Sequence, residues 1–593
     1  MSVETISQLF INTIRSYPKN DLMMYKKGGE YVSISSRDVW DRVRFLSLGL
    51  RSLGLQPGDK LIILGENSPD WVMTDFAALC AGATTVPVYS TLMPEQIRYI
   101  INDSDAKVVV CSSRELWRKI QIVRKDLTKV THAILFEDPA PEGVLALASV
   151  IENGRSLAAS GEDDFEKTAL GIQPNELASI IYTSGTTGVP KGVMLTHANF
   201  VHNIKSLRSI VEFTNKDVIL SFLPLSHVLE RMCTFAFLYT GATIAYAESI
   251  ETVGENLIEA RPTIMVSVPR LFDKIYARVI DQVLAGSALK KKIFFWAVKI
   301  GKKQGKMRLR GGRVTGWLRF RYGLAKKLVF SKILAKTGGR VRFFVSGGAP
   351  LSKDIAEFFY AAGLTVIEGY GLTETSPVVA CNSIEGVKFG TVGKPIPGVE
   401  VKIAPDGEIL TRGPNLMKGY YKKEAETREV IVDGWLHTGD IGFLDDEGFL
   451  VITDRKKDLI ITAGGKNVAP QPIENLLKTN PYIANAVVVG GNRKFISALI
   501  VPNFDKLGAY ARAVNIPFSS PTELIGREDI RNFLLAEVNR STPDLAPYER
   551  VKKIVLLDRD FEIEAGEITP TLKVRRSIVE QKYKGLIDML YKE

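Results

Sequence analysis

The chain has 593 residues, 45% apolar and 24% charged, a balance that fits a globular protein of several domain-sized units and excludes a disordered or fibrous one. Four scattered cysteines and five scattered histidines offer neither a disulfide framework nor paired zinc spacing. The formal charge of +11 is local: residues 282–353 hold 19 Lys and Arg and no acid, while the remainder carries 58 basic against 66 acidic side chains, so a local anionic partner is expected.

Residues 1–17 contain Glu4 and lack the basic-then-apolar order of a secretion signal. No uncharged apolar run is long enough to span a membrane; the nearest, 232–247, is short and includes Gly241. These features predict a cytoplasmic protein. From Ser7 to Val110 the pattern alternates, with helical spacing over 39–53, 69–83 and 94–103 and short apolar strands over 60–64, 85–89 and 107–111. That βαβ rhythm predicts a mostly parallel sheet covered by helices. Residues 160–174 are acidic and polar and read as a loop.

The chain is organised around the stretch from Ile181 to His197, which reads as a strand, a loop and a second strand. Gly185 and Gly188 let the backbone approach a ligand closely, Thr183, Ser184, Thr186 and Thr187 bring hydroxyl donors, and Lys191 brings a positive charge. Such a loop suits phosphate. The P-loop of NTPases fails on spacing, because Pro190 precedes Lys191 and Gly192 follows it. A plain surface turn accounts for the composition but not for this order.

A strand over 218–224 leads to His227 and an apolar helix over 228–238. His227 reads either as a packed structural residue or as a ligand contact displayed past a strand end. After a strand over 263–268, Pro269 opens a helix and the basic stretch follows. Read as a helix, Lys292, Lys299, Lys303, Lys306 and Arg310 share one stripe, and Ile293, Trp296, Ala297 and Ile300 form an apolar stripe beside it. Two readings stay open: a surface helix on anionic membrane through 282–353, and a solvated helix packed on its domain by the apolar stripe. No recognised nucleic-acid module surrounds the stretch, which sets that partner aside.

Strands over 342–346 and 365–368 end in two Gly-rich turns at the same end of a presumed parallel sheet. Gly347, Gly348 and Ala349 offer a flat surface, and Tyr370, between Gly369 and Gly371, can stack on a base. Both suit adenine. Thr373 can bond a phosphate, and Glu374 can hold Mg²⁺ through oxygen. From Gly390 short strands and turns predict a small antiparallel, barrel-like subdomain. It runs to Asp440, which reads as a turn cap or as an acceptor for ribose hydroxyls. Residues 454–459 are nearly all charged and lie between apolar strands, as an exposed connector between domains does. Beyond them lies a small α/β unit whose end, 567–576, is an exposed turn leading to a basic helix.

In order and spacing these motifs resemble the adenylate-forming superfamily, and the 569–573 ending with the basic, Trp-containing region before Gly347 resembles its long-chain fatty acyl-CoA synthetases. The resemblance implies an α/β fold: a large N-terminal domain over 1–453 of stacked, mostly parallel sheets with helices and the barrel-like β subdomain, a hinge over 454–459, and a smaller mobile α+β lid over 460–593. It implies ATP and coenzyme A as co-substrates, Mg²⁺ and a fatty acid. By the same resemblance the loop from Thr183 to Lys191 grips the β- and γ-phosphates, Lys573 bridges carboxylate and α-phosphate, and Asp440 and Arg455 hold the ribose. His227 lies near the acyl carboxylate, Lys457 is the hinge, and the Gly464 and Gly465 face meets coenzyme A in the second step. A homodimer is compatible with it. Rival readings are another adenylating ligase, either a medium-chain or aryl-CoA ligase or one that loads a carrier protein, and a non-catalytic scaffold of the same fold on a membrane surface.

Overall fold

The computed structural model describes residues 3–183, 189–543, 545–562, 565–569 and 574–592. Two large sheets dominate. In a nine-stranded sheet, six neighbouring strands run parallel in the order Thr365–Gly371, Phe343–Ser346, Ile264–Ser267, Val218–Ser221, Thr243–Tyr246 and Met23–Lys27, with antiparallel strands at both edges. In an eight-stranded sheet, six parallel strands run from Leu177–Thr183 through Thr84–Val88, Lys60–Leu64, Ala106–Cys111 and His132–Leu135 to Leu145–Ala146. Lys191–Thr196 and Gly419–Tyr420 extend it antiparallel on the Leu177–Thr183 side. The βαβ rhythm of the first hundred residues thus appears as expected.

Two helices lie between the sheets and are apolar on nearly every side, the pattern of a helix with no solvent face. Pro69–Cys80 starts at the Ser68 cap with Pro69 in its first turn and buries every residue but Asp70. Val228–Tyr239 stacks on it through Phe76 and Phe235, ring centroids 5.4 Å apart. At their crossing Arg231 donates to Asp75 at 2.6 and 2.8 Å and also reaches Ser179 and Thr85 of the eight-stranded sheet at 2.5 Å.

A five-stranded antiparallel sheet follows, built from Glu400–Ile403, Glu408–Arg412, Ile431–Val432, Trp435–Leu444 and Leu450–Arg455. It is the expected small β subdomain. The C-terminal part packs its own core around Ile483–Val489, Ser497–Pro502 and Lys553–Leu556, with helices on both faces. It touches the larger part through Lys506 with Asp281 at 2.7 Å and Arg270 with Asp560 at 3.4 Å.

One reading of the sequence needs correction, and of two left open for the basic stretch the helix packed on its domain is seen. Residues 160–174 are not all loop: Phe165–Gly171 is a helix, held by buried Phe165 and by ion pairs from Arg15 to Glu166 and Arg51 to Asp164. The basic helix exists as Ala288–Leu309, and Lys292, Lys299, Lys303, Lys306 and Arg310 are exposed on it. Its apolar stripe, however, is taken up by the domain. Ala297 and Ile300 are buried, and Gly301 lets the helix Lys353–Ala362 approach so closely that a Cβ there would meet the Ala361 oxygen at 2.7 Å.

Candidate active site

One cleft of ≈ 2390 Å³ opens where the strand ends of the nine-stranded sheet, the signature hairpin, the antiparallel subdomain and the C-terminal part meet. Open α/β sheets display ligands at that kind of crevice. The signature hairpin is antiparallel, with Thr183 opposite Lys191, so the two ends of the loop are held side by side at the cleft. Ser184, Gly185, Thr186, Thr187 and Gly188 lie outside the described residues, as does Lys573.

Thr373 and Glu374 form a short turn, Thr373–Thr375, past the end of the strand Thr365–Gly371. Gly371 is needed here for space: a Cβ would fall 1.8 Å from the Pro377 oxygen of the returning strand. A residue missed in the sequence ties this turn to the hairpin. The Tyr420 hydroxyl donates to Glu374 Oε1 at 2.9 Å, and Lys191 Nζ stands over the Tyr420 ring, 5.0 Å from its centroid. Neighbouring backbone completes the clamp, with Met417 N–H donating to the Glu374 carbonyl at 2.9 Å and Tyr421 N–H to that of Gly192 at 2.7 Å. The only sequence signal for Tyr420 was an aromatic pair after Gly419.

Gly347, Gly348 and Ala349 follow Phe343–Ser346, and Gly369 and Tyr370 end the neighbouring parallel strand, so the two Gly-rich turns share one wall as expected. Gly348 adopts φ of +81°, a conformation that favours glycine. Glu368, also missed, is buried in this wall; burial pushes its carboxyl up to about 8 against a hydrogen bond from Leu351 N–H. Asp440 is not a turn cap. It sits within Trp435–Leu444, opposite Arg455 in register, and accepts from the Tyr370 hydroxyl at 2.6 Å and pairs with Arg455 Nε at 3.2 Å. Burial, then the Asp440 carboxylate, push the Tyr370 phenol up, so it stays a donor.

His227 is both packed and at the cleft. It caps the helix Val228–Tyr239, its Nδ1 accepting from Leu229 N–H at 3.2 Å, and it also lines the cleft. Past it the cleft follows one side of that helix along Met232, Cys233, Ala236 and Phe237, faced by Val211 and Phe213. From Val228 to Phe237 this apolar wall is ~14 Å long.

The connector is exposed from Arg455 to Lys457. Lys456 is anchored by Asp406 at 2.7 Å and Glu408 at 2.9 Å, Lys457 lines the cleft, and Asp454 accepts from Gln471 N–H at the start of the helix Pro470–Leu477. Thr569 and Val574, which flank the undescribed 570–573, line the cleft, whereas Gly464 and Gly465 are exposed in a turn away from it. Among the described residues no group of three or more His, Cys, Asp or Glu could hold a metal alone. The oxygens of Glu374 and Thr373 are hard donors, and they fit a Mg²⁺ that takes its remaining ligands from phosphates and water.

The two Gly-rich turns, the Thr373, Glu374 and Lys191 side chains and an apolar channel share one cleft on this pair of sheets, an arrangement that fits an adenylate-forming enzyme. The chain belongs to the AMP-binding enzyme family: that family's profile matches residues 10–421, and that of the AMP-binding enzyme C-terminal domain matches 457–593. Within it the protein is an AMP-forming acyl-CoA synthetase. It is 37% identical over 578 residues to the long-chain-fatty-acid–CoA ligase FadD15 of Mycobacterium bovis, covering 96% of this chain and 94% of that protein. It is 31% identical over 627 residues to the long-chain-fatty-acid–CoA ligase ACSBG2 of Xenopus laevis, covering 99% and 84%. In fold it matches the adenylation domain of a carboxylate reductase from Mycobacterium chelonae, with a TM-score of 0.75, 23% identity and coverage of 99% and 91%. The anthranilate CoA ligase AuaEII, solved with anthranoyl-AMP, also gives a TM-score of 0.75, at 18% identity and coverage of 99% and 98%.

Proposed function

We propose that this cleft activates a long-chain fatty acid as its acyl adenylate and transfers the acyl group to coenzyme A, each residue acting as follows. A carboxylate is a poor acyl donor because oxide is a bad leaving group. In the first step a carboxylate oxygen attacks the α-phosphorus of ATP and pyrophosphate leaves; in the second the thiol of coenzyme A attacks the carbonyl carbon and AMP leaves. Positioning and charge neutralisation dominate such transfers.

The observation that carries the reading is the cleft's polarity: Lys191, Thr373 and Glu374 at one end, Tyr370 with Asp440 and Arg455 beside them, and an apolar wall leading away from His227. Thr183, Lys191 and the loop between them hold the leaving pyrophosphate. Thr373 holds the α-phosphate. Gly347 to Ala349 and Gly369 to Gly371 bracket adenine, and Asp440 with Arg455 takes the ribose hydroxyls. The acyl carboxylate sits by His227, with its chain along Met232, Ala236 and Phe237. Mg²⁺, held by Glu374, neutralises phosphate charge when bound. Lys573 bridges the two reacting anions in the first step. It then withdraws as the lid of residues 460–593 turns about Lys457 and brings Gly464 and Gly465 to the cleft.

The test is Lys573→Ala. Pyrophosphate exchange with a long-chain acid falls by at least about 10²-fold, while thioester formation from presynthesised acyl-AMP is largely kept. Equal loss of both sinks the division of labour. Wild-type exchange with aryl but not aliphatic acids sinks the substrate class.

No helix among the described residues is long and apolar enough to cross a membrane. The basic stretch 282–353 supports peripheral contact with an anionic membrane from the cytoplasmic side.

A further inference from the structure

The helix Gly316–Ala325 and the turns after it present two opposite apolar faces. Leu318, Ala325 and Phe330 are buried against the domain, as a packed helix requires. On the other side Trp317, Phe320, Leu324 and Leu328 are all exposed, the two aromatics at 68% and 65%. At 3.6 residues per turn Trp317, Phe320 and Leu324 of the α-helix fall within ~60° of one another, so they form a stripe and not a scatter. Isolated surface apolar residues are ordinary, but a contiguous apolar stripe marks a contact. The two rings stack on each other, with centroids 5.8 Å apart, and present a single plate.

The helix is fixed with this plate outward. It packs on Ala288–Leu309, where the Arg321 guanidinium lies over the Trp296 ring at 5.7 Å. The surroundings are rich in cations: Arg313, Arg319, Lys326, Lys327 and Lys332 are exposed on this segment. Lys299, Lys303, Lys306 and Arg310 line a shallow groove with Phe295 on the neighbouring helix.

We infer that Trp317 and Phe320, followed by Leu324 and Leu328, are a wedge that inserts into the headgroup region of an anionic bilayer while the surrounding Lys and Arg hold the lipid phosphates. This rests on the membrane reading given above and names the face that makes the contact. Charge selects the occupant. Apart from Lys302, which pairs with Asp354 and Glu357, the cations of this face would meet their own kind on a second copy, whereas an anionic bilayer neutralises them and takes up the aromatic rings at its interface. The apolar stripe over Ile293, Ala297 and Ile300 is excluded as the wedge because the domain already buries or half-buries it.

The full chain is floated with vesicles of phosphatidylcholine alone and of phosphatidylcholine with phosphatidylglycerol, at low and high salt. Wild type binds the anionic vesicles, and salt weakens the binding. Trp317→Ser with Phe320→Ser lowers it about tenfold at unchanged net charge, and pyrophosphate exchange with a soluble medium-chain acid stays as in wild type. Lys299→Glu with Lys303→Glu and Lys306→Glu lowers it further and weakens the salt dependence. If wild type ignores both lipid charge and salt, the membrane reading itself fails. If wild type binds and the double Ser variant binds equally, only the wedge is overturned. A wild-type dimer in sedimentation that the double Ser variant dissociates assigns the plate to a second copy and overturns the proposal.

Discussion

The Tyr420 side chain joins two residues that the sequence reading kept apart, donating to Glu374 at 2.9 Å while its ring supports Lys191. Partners that orient a metal-binding carboxylate commonly matter 10- to 100-fold. Tyr420→Phe keeps the ring and frees the carboxylate, so the Mg²⁺ concentration for half-maximal pyrophosphate exchange rises about tenfold with an unchanged melting temperature; Tyr420→Leu also raises KM for ATP. An unchanged Mg²⁺ requirement in the Phe variant removes this role. Glu230 gives a different residue-scale effect. It is buried in the first turn after His227, and among the described residues neither its Oε2 nor the nearby buried Tyr246 hydroxyl has a hydrogen-bond partner. Burial pushes its carboxyl from the ordinary 4.5 up to about 8, opposed only by a hydrogen bond from Ser221. Between those values the unfolded chain has released the proton and the native protein has kept it, so stability falls as pH rises. Glu230→Gln therefore stabilises by on the order of a few kcal/mol at pH 8 and by almost nothing near pH 4.5, measured by denaturant unfolding. A pH-independent difference refutes the buried neutral acid.

At the scale of elements, the crossing of Pro69–Cys80 and Val228–Tyr239 holds the two sheets in register, and Arg231 is its polar centre, with side chains of Arg231 and Asp75 each 1% exposed. Removing one partner of such a pair leaves an uncompensated buried charge. Arg231→Met should cost about 3–5 kcal/mol, and adding Asp75→Leu should restore most of it. A double variant as unstable as the single one contradicts that account. This pair was not legible in the sequence, because Asp75 and Arg231 are 156 positions apart and each looks like an ordinary helix charge. The strands and Gly-rich turns were legible, since Gly371 and Gly348 answer to local backbone needs that composition reveals. Phe165–Gly171 was missed because its helix is fixed by distant partners, Arg15 and Arg51, and not by its own polar composition. Tyr420 was missed for the same reason, as its partner Glu374 lies 46 positions away. Trp296 was visible as an aromatic on a cationic helix, but only packing shows that Arg321 covers it while Trp317 stays bare.

For the whole molecule, the proposed order of the two half-reactions rests on a division of the chain into two bodies. The C-terminal part has its own apolar cores, centred on residues such as Ile500 and Leu534 or Val487 and Leu499, so it can move without exposing them. Polar contacts tie it to the larger part here: Lys506 with Asp281, Arg270 with Asp560, and Asp454 at the start of Pro470–Leu477. Partly exposed ion pairs such as the first two contribute about 0–1 kcal/mol each, enough to bias a two-position lid and too little to lock it. In this arrangement Thr569 and Val574 face the cleft and the Gly464 turn does not, the arrangement proposed above for the first step. Reversing one latch charge with Lys506→Glu should therefore slow pyrophosphate exchange a few-fold and leave thioester formation from acyl-AMP unchanged or faster. Lys457→Pro, which restricts φ at the exposed connector, should act in the opposite sense and impair thioester formation more than exchange. The two variants thus predict a crossing pattern across two assays on one protein. Parallel losses in both assays would mean that the lid does not rotate between steps, and the two half-reactions would then have to share a single arrangement.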